Sequence, residues 1–136
     1  MAHFSDYLED KLINATLRGQ DHTAPGVVYL ALFTEDPTDA GTGQELTDSS
    51  YQRQDMAKGG AASEGWVSPS NGVTSNAKLI QFPPIADGTV VVTHYALFDA
   101  QTGGNMLYHA PLTTSKTMEV SDVVSFDIGA LTLTLR

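Results

Sequence analysis

The segment from Thr89 to His109 restricts the fold more than any other part of the chain. It opens with Thr89-Val90-Val91-Val92-Thr93-His94-Tyr95-Ala96-Leu97-Phe98, dense in β-branched and aromatic side chains that suit a pleated surface. Asp99 to Asn105 interrupts that run. Gly103, Gly104 and Asn105 tolerate the positive φ that tight β connections require. Met106 to Ala110 then resumes an apolar pattern. The segment predicts an antiparallel hairpin. Apolar residues fall on both faces of its first strand, which places that strand centrally in a sheet.

The rest of the chain supplies partners for such a sheet. Val27 to Phe33 follows Pro25-Gly26 as a continuous apolar run, expected for a strand buried on both faces. Thr34 to Ser50 is polar and acidic with Pro37, Gly41 and Gly43, and reads as a long surface loop. Tyr51 to Gln54, Trp66-Val67, Gly72 to Thr74 and Leu79 to Phe82 read as short strands separated by Gly, Ser, Asn and Pro. Pro83-Pro84 closes that group, because proline donates nothing to a central ladder.

Near the C-terminus Val124, Phe126 and Ile128 alternate on even positions, and Leu131, Leu133 and Leu135 on odd ones. One extra residue at Gly129-Ala130 would restore a single apolar face, so a β-bulge is expected there, with a break between two strands as the other reading.

The N-terminal segment has a different period. Phe4, Leu8, Leu12 and Ala15 form a helical stripe, Ser5 can cap its start, Asp6 and Glu9 suit its positive end, and Gly19 stands where it should stop. A helix over about 5–18 is expected. Its stripe either packs on its own domain or docks on a neighbouring subunit, which makes Phe4, Leu8 and Leu12 candidate docking residues.

One helix followed by seven to nine short strands predicts a mainly β protein, an antiparallel β-sandwich with a short N-terminal α-helix. The 136 residues suffice for one domain spanning 1–136. Sixteen acidic residues against seven scattered basic ones leave a net charge of −9, which disfavours nucleic-acid binding. The absence of cysteine excludes thiol catalysis and Cys-based zinc sites. No basic segment leads into an apolar core at the start, so no signal peptide is expected. No apolar run is long enough for a membrane span, and none is expected to insert.

Chemistry is sparse. Glu35, Asp36, Asp39, Glu45 and Asp48 crowd one loop, but their spacing does not fit the calcium loop of EF-hands, so a solvated loop is favoured over a calcium site. His94 and His109 flank the hairpin bend symmetrically and would sit opposite each other if the strands paired about Gln101/Thr102. Two imidazoles without a third ligand fall short of a zinc site. No nucleophile elbow, Walker loop, dinucleotide fingerprint or zincin helix is present. No catalytic residue, metal or cofactor is expected. Trp66 and Tyr51 are the candidates for contact with a ligand such as a sugar, although a lone tryptophan in a β protein usually belongs to the core.

An ordered set of segments carries a resemblance. Ser5-Asp6-Tyr7-Leu8-Glu9-Asp10-Lys11-Leu12-Ile13-Asn14 comes first, then Tyr29 to Gly41, Tyr51 to Gln54, Phe82-Pro83 and Thr93 to Ala100. Gly103 to Leu107, Leu112 to Lys116, Ser125-Phe126 and Gly129 to Leu131 complete the set. In this order the chain resembles the small tail fibre proteins of tailed bacteriophages over nearly its whole length. Met56 to Thr74, with Trp66, departs most from the family's plainer Gly-Ala-Ser spacing.

The resemblance implies a virion structural protein, made in the host cytoplasm, that meets other virion proteins and assembles as an oligomer, a trimer by analogy with other phage proteins. Capsid decoration, a module binding a host surface glycan, and a hydrolase of cell-surface polymer are the competing functions.

Overall fold

The computed structural model describes residues 2–135. The elements in order are β1 (His3–Phe4), α1 (Asp6–Leu17), β2 (Tyr29–Phe33), β3 (Gln54–Asp55), a 3-10 turn (Ala62–Gly65), β4 (Val73–Ser75), β5 (Ile80–Gln81), β6 (Val90–Phe98), β7 (Met106–Met118), β8 (Ser125–Phe126) and β9 (Thr132–Thr134). A five-stranded sheet runs β1-β7-β6-β2-β3, and two ribbons, β4-β9 and β5-β8, form a second layer, all pairs being antiparallel. This is the expected mainly β, sandwich-like architecture with one short helix.

The hairpin is the centre of the fold. β6 pairs with both β2 and β7, so the strand read as central is central. Period-two alternation, reset by the register shift between Val92 and His94, explains how it covers both sides. Val92, Tyr95 and Leu97 join Leu30 and Leu32 in the main core, where Ile80, Val124, Phe126, Leu131 and Leu133 of the second layer meet them. Ala96 and Phe98 join Ala31, Phe33 and Met106 in a smaller cluster on the other side. Leu30 to Phe33 are all buried, as a two-sided strand requires.

The register differs from a bend centred on Gln101/Thr102. Ala96 pairs with His109 and His94 with Pro111, so the two histidines are not opposite each other. A register irregularity between Leu97 and Phe98 shifts the ladder relative to a symmetric bend. The second strand is also longer than its apolar pattern suggested, continuing through Thr113 to Met118. Its outer half is mostly hydroxyl side chains, which carry β propensity without an apolar signal.

The bulge expected at Gly129-Ala130 is absent; the chain breaks there. The Ala130 N–H donates to the Asp127 carbonyl across a turn in which Gly129 takes φ +81°. β8 and β9 consequently belong to different ribbons, and Ile128 is 68% exposed. Asn76 holds this turn from the interior. Its side chain donates to the Lys78 and Asp127 carbonyls at 2.9 and 3.0 Å and accepts from the Leu131 N–H at 2.9 Å, so a fully buried amide is fully used.

The helix begins and ends where its sequence signals stood. Ser5 Oγ accepts from the Leu8 N–H at 3.1 Å and donates to the Met106 carbonyl, pinning the N-cap to β7. At the other end Gly19 takes φ +66° and the Gln20 N–H reaches the Asn14 carbonyl.

Candidate functional site

The stripe of α1 does not bury itself completely. Leu8 is buried, whereas Leu12 and Ala15 are half-buried and Ile13 and Leu17 are exposed, Leu17 by 79%. Beside the stripe runs a groove of about 410 Å³. Leu8 and Leu12 form one wall; Trp66, Pro69 and Val73 form the other; Leu97, Leu107, Tyr108, Leu133 and Leu135 lie between them. The lining is aliphatic and aromatic almost throughout, which suits an apolar anchor. Burial pushes the Tyr108 hydroxyl pKa up.

Local structure explains why Trp66 stands in this wall. Met56 and Ala57 are buried, and the tight turn after them is held by Asp55, whose carboxylate accepts from the Ala57 and Gly59 N–H groups at 2.8 Å each. Gly65 packs so closely on Met56 that a Cβ there would lie 2.9 Å from the Met56 carbonyl carbon. Trp66 then bridges to Asn76 and is aligned with the second layer. The segment from Met56 to Thr74 is thus a folded wall of the groove.

Of the residues singled out in the sequence, the groove unites Leu8, Leu12 and Trp66. Phe4 lies in β1, opposite Tyr108, with ring centroids 5.5 Å apart. Tyr51 lies elsewhere and is occupied. It accepts from the Leu32 N–H at 3.1 Å, donates to Glu45 at 2.5 Å, and stacks on Phe82. Burial first, and then the Glu45 carboxylate, hold its hydroxyl pKa well above the usual phenol range.

The acidic loop crosses the small-cluster face of the sheet. Arg53 is the fastener, for its guanidinium sits 3.6 Å from the Phe98 ring centroid and forms two 2.9 Å bonds to Glu45. Its remaining nitrogen donates to the Ala100 and Gly103 carbonyls at 2.9 and 2.8 Å, clamping the hairpin bend. His109 is buried, bonds Asp39 through Nε2 at 2.7 Å and stacks on His3. Asp48 accepts from Ser50 Oγ and from the N–H groups of Asp87, Ala86 and Ser50, which bring its pKa down to about 2. The loop expected to be solvated is thus tied down by its own carboxylates.

Among the described residues, no group of three His, Asp or Glu side chains is placed to hold a metal ion. No helix of the described residues is long and apolar enough to cross a membrane.

The groove was only partly legible. Leu107, Leu133 and Leu135 carry ordinary strand signals, and only the tertiary fold brings them to Trp66. Arg53 had one usable signal, a charge inside an otherwise strand-like segment.

A family model described as podophage GP4 fiber I protein gp80 matches residues 3–134. No curated protein matches the chain.

Proposed function

The chain belongs to the podophage GP4 fiber I protein gp80 family, and from that membership we propose a non-enzymatic tail-fibre or tail-tip subunit, displayed on the particle and assembled as an oligomer. A fibre protein of this kind is a structural component of the virion and associates with other virion proteins. The fibre designation favours the tail over capsid decoration.

The observation that carries the assembly reading is the unequal use of α1. The helix lines an open apolar groove with Leu12 and leaves Ile13 and Leu17 in solvent. One helix offers a groove wall at Leu12 and, about 100–140° round its axis, exposed side chains of the right chemistry to fill a neighbour's groove. The proposed occupant is a second copy of the chain, its Ile13 and Leu17 entering the groove beside Leu8 and Leu12, with Phe4 packed on Tyr108 of the lining. A head-to-tail contact of this type closes into a ring when the rotation permits. A trimer is proposed by analogy with other phage fibre proteins.

The same geometry supports a role without catalysis. His109 is committed to Asp39, Glu45 to Arg53 and Tyr51, and the Asp36 and Asp48 carboxylates to main-chain N–H groups. A sugar stacked on Trp66 would meet a wall of Leu, Val and Pro with few hydrogen-bond donors, so the groove favours a protein anchor. Purified virions should contain the chain by mass spectrometry, with immunogold label on the tail. Label on the capsid would support decoration, and absence from particles would reject both. Light scattering should show an oligomer that Leu17→Glu converts to a monomer; a monomeric native chain would contradict the assembly reading.

A further inference from the structure

Residues 2–17, β1 and α1 together, form an arm whose holding contacts all lie far along the chain. His3 and Phe4 pair with His109 and Tyr108 of β7. The Ser5 N–H donates to the Leu107 carbonyl at 3.0 Å, and Ser5 Oγ donates to the Met106 carbonyl. The Asp6 N–H donates to the Asp39 carbonyl at 2.9 Å. The His3 and His109 rings stack at 5.3 Å, and Ala2 and Leu8 are buried. None of these contacts depends on which copy of the chain supplies the arm.

The connection from the arm to β2 leaves that choice open. α1 ends at Leu17 and β2 begins at Tyr29. The Arg18 and Gln20 N–H groups close the helix on the Asn14 carbonyl, and the Val28 carbonyl accepts from the Met56 N–H. Between these points, residues 21–27 make no hydrogen bond or ion pair among the described residues. Asp21, Thr23, Ala24 and Gly26 are exposed. Pro25 fixes its own φ and biases Ala24 toward extended backbone, which suits a span better than a tight return. Extended, these seven residues reach about 25 Å, enough to cross from one body to a touching neighbour.

We propose that the arm is exchanged between copies: in the assembled protein, residues 2–17 of each chain dock on β7 of a neighbouring chain. The inference rests on the assembly reading above and adds which chain supplies each groove wall. Leu8 and Leu12 line the groove from the arm, so every groove is completed by another copy. Opening the linker breaks no hydrogen bond of residues 21–27. The exchanged arm makes the same contacts as an arm folded back on its own body, so exchange alone changes the free energy little. The contact that a lone chain lacks, Ile13 and Leu17 in a neighbour's groove, drives the exchange by mass action.

The chain has no cysteine, so one engineered pair reports which body an arm sits on. Phe4 and Tyr108 are partners across the antiparallel β1–β7 pair. Cα atoms of such partners lie about 4.5–5.5 Å apart, within the span of a disulfide, about 4.4–6.8 Å. Phe4→Cys with Tyr108→Cys, oxidised after assembly, should run as covalent multimers on a denaturing gel without reductant and as monomers with it. Adding Leu17→Glu should return the disulfide to within single chains. A second measurement needs no substitution. Oligomers refolded from mixed isotope-labelled and unlabelled chains should show nuclear Overhauser contacts between the Phe4 ring of one chain and the Tyr108 ring of another. Disulfides confined within chains while that variant still scatters as an oligomer would overturn the exchange and leave the groove contact standing. So would Phe4–Tyr108 contacts found only within chains of a native oligomer. A monomeric native chain would overturn both.

Discussion

The two faces of the five-stranded sheet are covered by different physics. One face meets the β4-β9 and β5-β8 ribbons through Leu30, Leu32, Val92 and Leu97 packed on Ile80, Val124, Phe126 and Leu133. The other face carries the small cluster of Ala31, Phe33, Ala96, Phe98 and Met106 and is crossed by an irregular loop. That loop is held on this face by Arg53–Glu45 and His109–Asp39, and at its far end, where Leu46 enters the main core, by the hydrogen bonds around Asp48. Apolar burial scales with area and has no preferred direction. Ion pairs and hydrogen bonds fix geometry but respond to pH and to the loss of one partner. The first face supplies stability; the second supplies shape.

The largest effect should come from the apolar face. Leu32→Ala removes a fully buried side chain and should cost about 2–5 kcal/mol in chemical denaturation. A loss below about 1 kcal/mol would mean that this face does not dominate stability. On the loop face, Arg53→Ala strips the partner from Glu45 and two acceptors in the bend, and should cost about 2–3 kcal/mol. Its signature is local: hydrogen exchange should accelerate between Asp99 and Asn105 more than in β6. Uniform acceleration would erase the distinction between the faces.

Acid should weaken the loop before the apolar packing. The Asp48 pKa is lowered from 3.8 to about 2, chiefly by Ser50 and then by main-chain donors. Its contribution is therefore fully present above the unfolded value and fades as pH falls from 3.8 toward about 2. Denaturation midpoints across that window should fall in the native chain and fall less in Asp48→Asn. Identical profiles would show that Asp48 does not couple the loop to folding. The smallest effect is at Ile128, 68% exposed in the turn between β8 and β9. Ile128→Ser should change stability by no more than about 0.5 kcal/mol, whereas a continuous β8–β9 strand with Ile128 in the core would make it costly.

Legibility followed the same division. Residues whose role is set by local periodicity could be read directly: Ser5 as N-cap, Gly19 as stop, the buried run into β2, and β6 at the centre. The Val124–Leu135 alternation failed because its two halves serve different ribbons, and periodicity does not report which strand a strand pairs with. The His94–His109 register failed because a bulge near the bend is set by how β7 meets its neighbours. Arg53, Asn76 and Asp48 act through partners between 2 and 55 residues away, and polar side chains announce no such partner in sequence. The site divides likewise. Leu8, Leu12 and Trp66 were visible singly, and their meeting in one groove is a property of the fold.

Tail placement and assembly through the groove beside α1 stand or fall together in the intact particle. A cryo-electron microscopy reconstruction of the whole particle tests both most directly. Density for this fold is expected at the tail, with Leu12, Trp66 and Val73 covered by a neighbouring copy. Density on the capsid, or a groove facing solvent in the assembled fibre, would contradict it.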